Sequence, residues 1–160
     1  MNADLVIRPF AVSDFEELTE VWHDVNCSAY PYVVAHQRYT LDEARAFFRS
    51  SVLPFNRLWV ASLGTPIVGF IAVGATHINQ LAVDVNYQHR GIGSALLRHL
   101  LAITEGPWRL FTFQRNESAR RFYEKHGFCV VGFGVSPPPE NEPDVEYLLE
   151  RNSSRPDRAD

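Results

Sequence analysis

"NYQHRGIGSALL", Asn86 to Leu97, sets Arg90, Gly91 and Gly93 at the mouth of an apolar, helix-forming run. Upstream, "THINQLAVDV" (76–85) reads as a strand; downstream, "SALLRHLLAIT" (94–104) reads as a helix ended by Gly106–Pro107. Glycines let a backbone approach a ligand closely and adopt dihedrals that other residues avoid. A helix start leaves its first N–H groups unpaired and carries a partial positive charge. A diphosphate suits such a place, with Gln88 and Arg90 as further polar and cationic contacts. A plain glycine-containing loop before a helix fits the same residues. A nucleotide-triphosphate loop is excluded, because no lysine follows the glycines. A dinucleotide fingerprint needs a third glycine where Leu96 stands, and needs its glycines directly after the strand. "GIGSA" is not the G-x-S-x-G of a hydrolase elbow.

The segments on either side give an alternation of strands and helices. "DLVIRPF" (4–10) reads as a first strand. Ser13 is expected to cap a helix, with Glu16 three residues on, and Phe15, Leu18, Val21, Trp22 and Val25 form its apolar face. "NCSAYPYVVAHQRY" (26–39) reads as loop with a helical turn. Thr40 caps a second helix, "LDEARAFFRSSVL", through Glu43, and Pro54 lies past its end. "RLWVASL" and "PIVGFIAVGA" are strands joined at Gly64–Thr65. "WRLFTF" is another strand, "NESARRFYEKHGF" a helix stopped at Gly127, and "FCVVGFGV" and "VEYLLE" are the last strands, separated by "SPPPENEP". The expectation is one α/β (α+β) domain over residues 1–151, with a disordered tail at 152–160.

The chain has 160 residues, 46% hydrophobic and 21% charged, which suits a single globular core. Fifteen basic and 19 acidic residues give a net charge of −4, against a general nucleic-acid binder. Cys27 and Cys129 make no C-x-x-C and no disulfide framework, so a reduced, cytoplasmic setting is expected. No signal peptide, no membrane span and no metal-ligand cluster is read from the sequence.

"INQLAVDVNYQHRGIGSALLRHLL" resembles motif A of the GNAT N-acetyltransferase superfamily, whose core Q/R-x-x-G-x-G/A is here Gln88-His89-Arg90-Gly91-Ile92-Gly93. "NESARRFYEKHGF" resembles its motif B, N-x-x-A-x-x-F-Y-x-x-x-G-F, in the usual order and separation. The element order over about residues 5 to 150 is similar as well, the first 60 residues by pattern only. The resemblance implies a central mixed, mostly antiparallel twisted sheet of six or seven strands with four flanking helices. It implies acetyl-CoA as co-substrate, held by the backbone N–H groups of Gln88, His89, Arg90, Gly91, Ile92 and Gly93 and by Ser94. Its pantetheine arm would pair with Leu81 and Val83, the Val83 N–H would face the thioester oxygen, and Asn116 would bind the pantetheine side. Tyr123 would face the sulfur as general acid, while Phe122 packs in the core. Without motif B, Tyr123 reads as a half-buried aromatic.

The chemistry suits these roles. A fixed N–H stabilises the oxyanion made when an amine attacks a thioester, and a nearby phenol can protonate the leaving thiolate. The amine must first lose a proton. Alternation along the strand, bulges aside, puts His77, Asn79, Leu81 and Val83 on one face. His77 stands where some superfamily members carry a glutamate, and a histidine suits a base. A solvated residue at a strand start is the plainer reading, with Asn79 ordering a water instead. His23, His99 and His126 are expected on solvated helix faces. The resemblance frames the acceptor, a small-molecule or peptide amine, with Tyr30, Tyr32, His36, Tyr39 and the acids Glu140, Glu142 and Asp144, which also fit a solvated acidic loop. It allows a homodimer and involves no nucleic acid, membrane or metal. The alternative to an enzyme is a non-catalytic acyl-CoA-binding or sensing domain of the same fold.

Overall fold

The computed structural model describes residues 3–33 and 39–150; His36 and the 152–160 tail lie outside them. The order is β1 (Leu5–Pro9), α1 (Phe15–Ala29), α2 (Leu41–Phe47), β2 (Arg57–Leu63), β3 (Ile67–Val73), β4 (Ile78–Val83), α3 (Ile92–Ile103), β5 (Trp108–Phe113), α4 (Glu117–Lys125), β6 (Cys129–Val135) and β7 (Pro143–Leu149). The strands form two antiparallel sheets, ordered β1-β2-β3-β4 and β5-β7-β6. One parallel bridge, His77 to Arg109, joins them, with the Arg109 N–H donating to the Thr76 carbonyl at 3.0 Å. The expected mixed sheet is therefore split, and β4 and β5 meet only at their starts.

Two cores cover the first sheet. α1 and α2 pack on one face, where Phe15, Leu18, Val21, Trp22 and Val25 are all buried, as their spacing required. On the other face, α3 buries Leu96, Leu97 and Leu100 completely, each contributing about 1.5–3 kcal/mol by leaving water. The same core takes Trp108 and Leu110 from β5 and Val145 and Tyr147 from β7. It anchors α3, and with it the glycine loop before that helix.

Several local readings need correcting. Ser13 does not cap α1. A short 3₁₀ turn, Val12–Asp14, precedes it, and Asp14 accepts from the Ala11 N–H at 2.7 Å. Arg8 grips the same carboxylate with both terminal nitrogens, at 2.7 and 2.8 Å. α1 also runs on to Ala29, through residues the sequence assigned to loop. α2 continues as a wide turn, Phe48–Val52, and a 3₁₀ turn, Leu53–Phe55. α3 begins at Ile92, so Gly93 lies inside the helix. The Thr40–Glu43 box forms as read, with Thr40 N–H to Glu43 Oε2 at 2.8 Å and Glu43 N–H to Thr40 Oγ1 at 3.2 Å.

The Arg8 hydrogen bond, more than burial opposes it, holds the Asp14 carboxyl below the ordinary carboxylate range. A depressed native pKa adds stability that is complete above the unfolded-state value and is lost as pH falls through the native one. Asp14→Asn should cost about 1–3 kcal/mol at neutral pH. In denaturant titrations the gap between parent and variant should close in acid; a gap independent of pH would remove the ion pair as its cause.

Candidate active site

The split leaves one edge of β4 open. Asp84 donates its N–H to Val68 of β3 at 2.9 Å. Hydrogen-bonding direction alternates along an antiparallel strand, so Leu81 and Val83 turn their backbone groups away from β3, toward the gap. The Val83 carbonyl is taken by the Gln88 side-chain amide at 3.0 Å. Gln88 thus braces the loop through its side chain.

This edge ends at the start of α3. The first intrahelical bond runs from the Ala95 N–H to the Gly91 carbonyl at 3.0 Å, so the N–H groups of Ile92, Gly93 and Ser94 have no acceptor in the helix. No acid occupies its first turn. Gly91 has φ +82° and a Cβ there would touch nothing within 4 Å, so the approach is open. His89 is also left-handed, at φ +62°, a conformation costing a non-glycine residue about 1–3 kcal/mol. Left-handed residues in such a loop turn successive N–H groups to one side, which forms an anion-binding concavity. Arg90 is exposed, with its guanidinium over the Tyr87 ring at 5.2 Å and donating to the Asn86 carbonyl at 3.3 Å. The Ile92 side chain is buried in the core, which leaves only its backbone to a ligand.

α4 closes the other side. Phe122 lies over the helix start, 3.5 Å from where a Gly93 Cβ would stand. It is half-buried and packs against the core, as read, while Tyr123 enters the core itself, 9% exposed. Tyr123 packs against Phe122, Phe128 and Tyr147. Burial, and then the proximity of Tyr30, push its pKa well above that of an ordinary phenol. Asn116 caps α4, accepting the Ala119 N–H at 3.1 Å, and its side chain is hydrogen-bonded to Tyr30. The sequence placed Tyr30 only with the acceptor; the fold also ties it to Asn116 and Tyr123.

A cavity of about 790 Å³ opens between α1, β4, β5 and the β6–β7 connection. Tyr30 and Tyr39 line it, together with Trp22, Phe113, Gln80 and Asp144. Tyr32 sits under Arg115, its hydroxyl buried without a hydrogen-bond partner among the described residues and pushed by burial up to about 12. Glu142 is buried against the Arg115 guanidinium at 3.5 Å, and Glu140 stands at the cavity's lining. Asp144 is in β7, 8% exposed, not in a solvated loop.

The expectation that His77 shares a face with Leu81 and Val83 is overturned. The β3–β4 register shifts where Ala72 faces Gln80 and Val73 faces Ile78. Asn79 is the extra residue of a bulge, which reverses the alternation. Ile78 therefore joins the core of Leu81 and Val83, and His77 turns to the opposite face, beside Phe111. There it stacks on Phe111 at 6.0 Å and bonds Thr76 Oγ1 through Nδ1 at 2.8 Å. Asn79 is tied to Asn56 at 2.8 Å. The solvated-face reading of the helical histidines fails too. His23 lines the cavity with Nε2 2.6 Å from the Tyr39 carbonyl, His99 packs near Trp59, and His126 bonds the Phe122 carbonyl at 2.8 Å. Among the described residues no group of three or more His, Cys, Asp or Glu could hold a metal ion, and no helix is long and apolar enough to cross a membrane.

Residues 54–130 match the family model of an acetyltransferase (GNAT) domain. The chain is 31% identical over 129 residues to the peptidyl-lysine N-acetyltransferase YjaB of Escherichia coli K12, covering 79% of this chain and 83% of that one. The solution structure of apo YjaB from Escherichia coli superposes with a TM-score of 0.75 at 25% identity, covering 91% and 97% of the two chains. The PaiA N-acetyltransferase of Thermoplasma acidophilum, crystallised with coenzyme A, shares the fold at 19% identity with a TM-score of 0.65, covering 91% and 99%. A split sheet opening onto a glycine-started helix is, in this company, the scaffold of an acyltransferase. The chain belongs to the GNAT N-acetyltransferase superfamily.

Proposed function

We propose that this protein is an acetyl-CoA-dependent enzyme that transfers an acetyl group directly to a primary amine. The observation that carries the reading is the open edge of β4, leading from Leu81 and Val83 to the unpaired N–H groups at the start of α3. That edge can pair with an amide-bearing arm as a neighbouring strand would, and the helix start suits the diphosphate behind it. Acetyl-CoA supplies the activated acetyl group as a thioester. The backbone from Gln88 to Gly93 and Ser94 hold the diphosphate, and Leu81 and Val83 orient the arm. The Val83 N–H steadies negative charge on the acyl oxygen. Asn116 positions Tyr30 and the start of α4, and Tyr123 presents its O–H where the sulfur leaves. Neither cysteine is required.

The acceptor belongs to the aromatic cavity. YjaB is named for peptidyl-lysine, so a lysine side chain is one acceptor to test beside small amines. Thiol release from acetyl-CoA, measured over a panel of amines and peptides with mass detection of the product, tests the reading. Tight acetyl-CoA binding with no amine-dependent thiol release would leave an acyl-CoA-binding domain instead.

His77, stacked on Phe111 of the cavity's lining, is the proposed base. His77→Gln should slow acetylation while acetyl-CoA affinity holds. A variant that keeps the parent's rate returns His77 to its stack with Phe111.

A further inference from the structure

We propose that Asp144 anchors the acceptor, its carboxylate receiving the ammonium end of an amine whose unbranched apolar stem lies along the aromatic wall of the cavity. The inference rests on the amine-acceptor reading above.

Strand alternation sets up the site. Val145 and Tyr147 of β7 point into the core, so Asp144 and Glu146 point the other way. Asp144 stands between Phe113 of β5 and Gly134 of β6, and all three line the cavity. A Cβ on Gly134 would come within 3.1 Å of Asp144 Oδ1, so the bare glycine leaves room beside the carboxylate.

The neighbouring acids have partners. Glu146 holds Arg109 at 2.8 Å and Glu142 faces Arg115 at 3.5 Å. Among the described residues no Arg, Lys or His forms an ion pair with Asp144, although it is 8% exposed. A buried carboxylate without a cation is costly, and a ligand that brings the cation removes that cost. Burial, followed by the like charge of Glu146, raises the Asp144 pKa, as an uncompensated site requires. Two other polar groups of the lining are engaged within the protein: the Gln80 side-chain oxygen accepts the Trp22 indole N–H at 3.1 Å, and His23 bonds the Tyr39 carbonyl. Trp22, Tyr39, Phe47 and Phe113 offer flat apolar walls. A methylene chain matches these walls. A lysine side chain and a free alkylamine share this chemistry.

Binding is measured by calorimetry with coenzyme A present, using N-acetyl-lysine methylamide, n-pentylamine and N-acetyl-norleucine methylamide, which lacks only the ammonium. In the parent, a cationic probe should bind roughly 10–100-fold tighter than the neutral one. Preference for the lysine probe alone assigns the site to a peptide; tight pentylamine binding assigns it to small amines; either supports the anchor. Asp144→Asn should bring cation and neutral probes close to parity with acetyl-CoA affinity unchanged. Gly134→Ala, which crowds the carboxylate but keeps its charge, should weaken the preference partially and serves if Asp144→Asn fails to fold. Equal binding of lysine and norleucine probes to the parent, or a preference that survives Asp144→Asn, overturns the anchor. Amine-dependent thiol release is read separately, so a lost anchor with intact thiol release refutes this inference and spares the acetyltransferase reading.

Discussion

Gly91→Glu is expected to abolish most acetyl-CoA binding, a loss of roughly 100-fold or more, because facing like charges costs several kcal/mol. The position is suited to this test. Gly91 caps α3 in the left-handed region, and nothing lies within 4 Å of a Cβ there, so the fold has room for the side chain. Backbone strain should cost about 1–2 kcal/mol. A carboxylate at a helix start regains about 0.3–1 kcal/mol from the helix dipole. The variant should thus fold, with a glutamate anion standing where the diphosphate is proposed to sit. Gly91→Ala carries the same strain without the charge and should lose far less affinity. Calorimetry with acetyl-CoA, beside circular dichroism of each variant, separates the two effects. A folded Gly91→Glu protein that binds as the parent does would remove the diphosphate from this loop.

Tyr123→Phe is expected to lower kcat by roughly 10–10⁴-fold, the range of a lost general acid, with little change in the KM for acetyl-CoA. The substitution keeps the ring that packs against Phe122, Phe128 and Tyr147, so the core should survive. Burial and the nearby Tyr30 raise the phenol's pKa, which keeps it an O–H donor at every physiological pH. Its contribution at the sulfur is then a standing hydrogen bond as much as a proton handed over. Two readouts follow. The parent should show no alkaline limb attributable to Tyr123, and the variant should lose rate evenly across pH. Unchanged kcat where chemistry limits the rate would return Tyr123 to packing alone.

Much of the fold is readable from the chain because its signals are short-range. The apolar face of α1 follows from residues three and four apart, and every one of the five positions read is buried. The Thr40–Glu43 box closes within one turn. "RLWVASL" and "WRLFTF" coincide with β2 and β5. Gly91 stands where φ is +82°, a conformation that favours glycine over other residues, so the turn before α3 was legible from composition, although the helix itself begins two residues earlier than read. Motifs A and B located the superfamily for the same reason, since each is a contiguous stretch.

What tertiary structure decided is where distant segments meet. Asp14 rather than Ser13 precedes α1 as the stabilising acid because Arg8 reaches across from β1. The bulge at Asn79 reflects the pairing of β4 with β3, and one extra residue sends His77 to the opposite face from the one alternation assigns. Tyr30 meets Asn116 although 86 positions separate them in the numbering, and Asp144 becomes a buried carboxylate only when β7 lies between β5 and β6. A chain written in order carries propensity, capping and periodicity, which act over a few residues. Burial and pairing of a particular side chain depend on which strands become neighbours, so the elements and the glycine turn before α3 could be read in advance while the surroundings of Tyr30 and Asp144 could not.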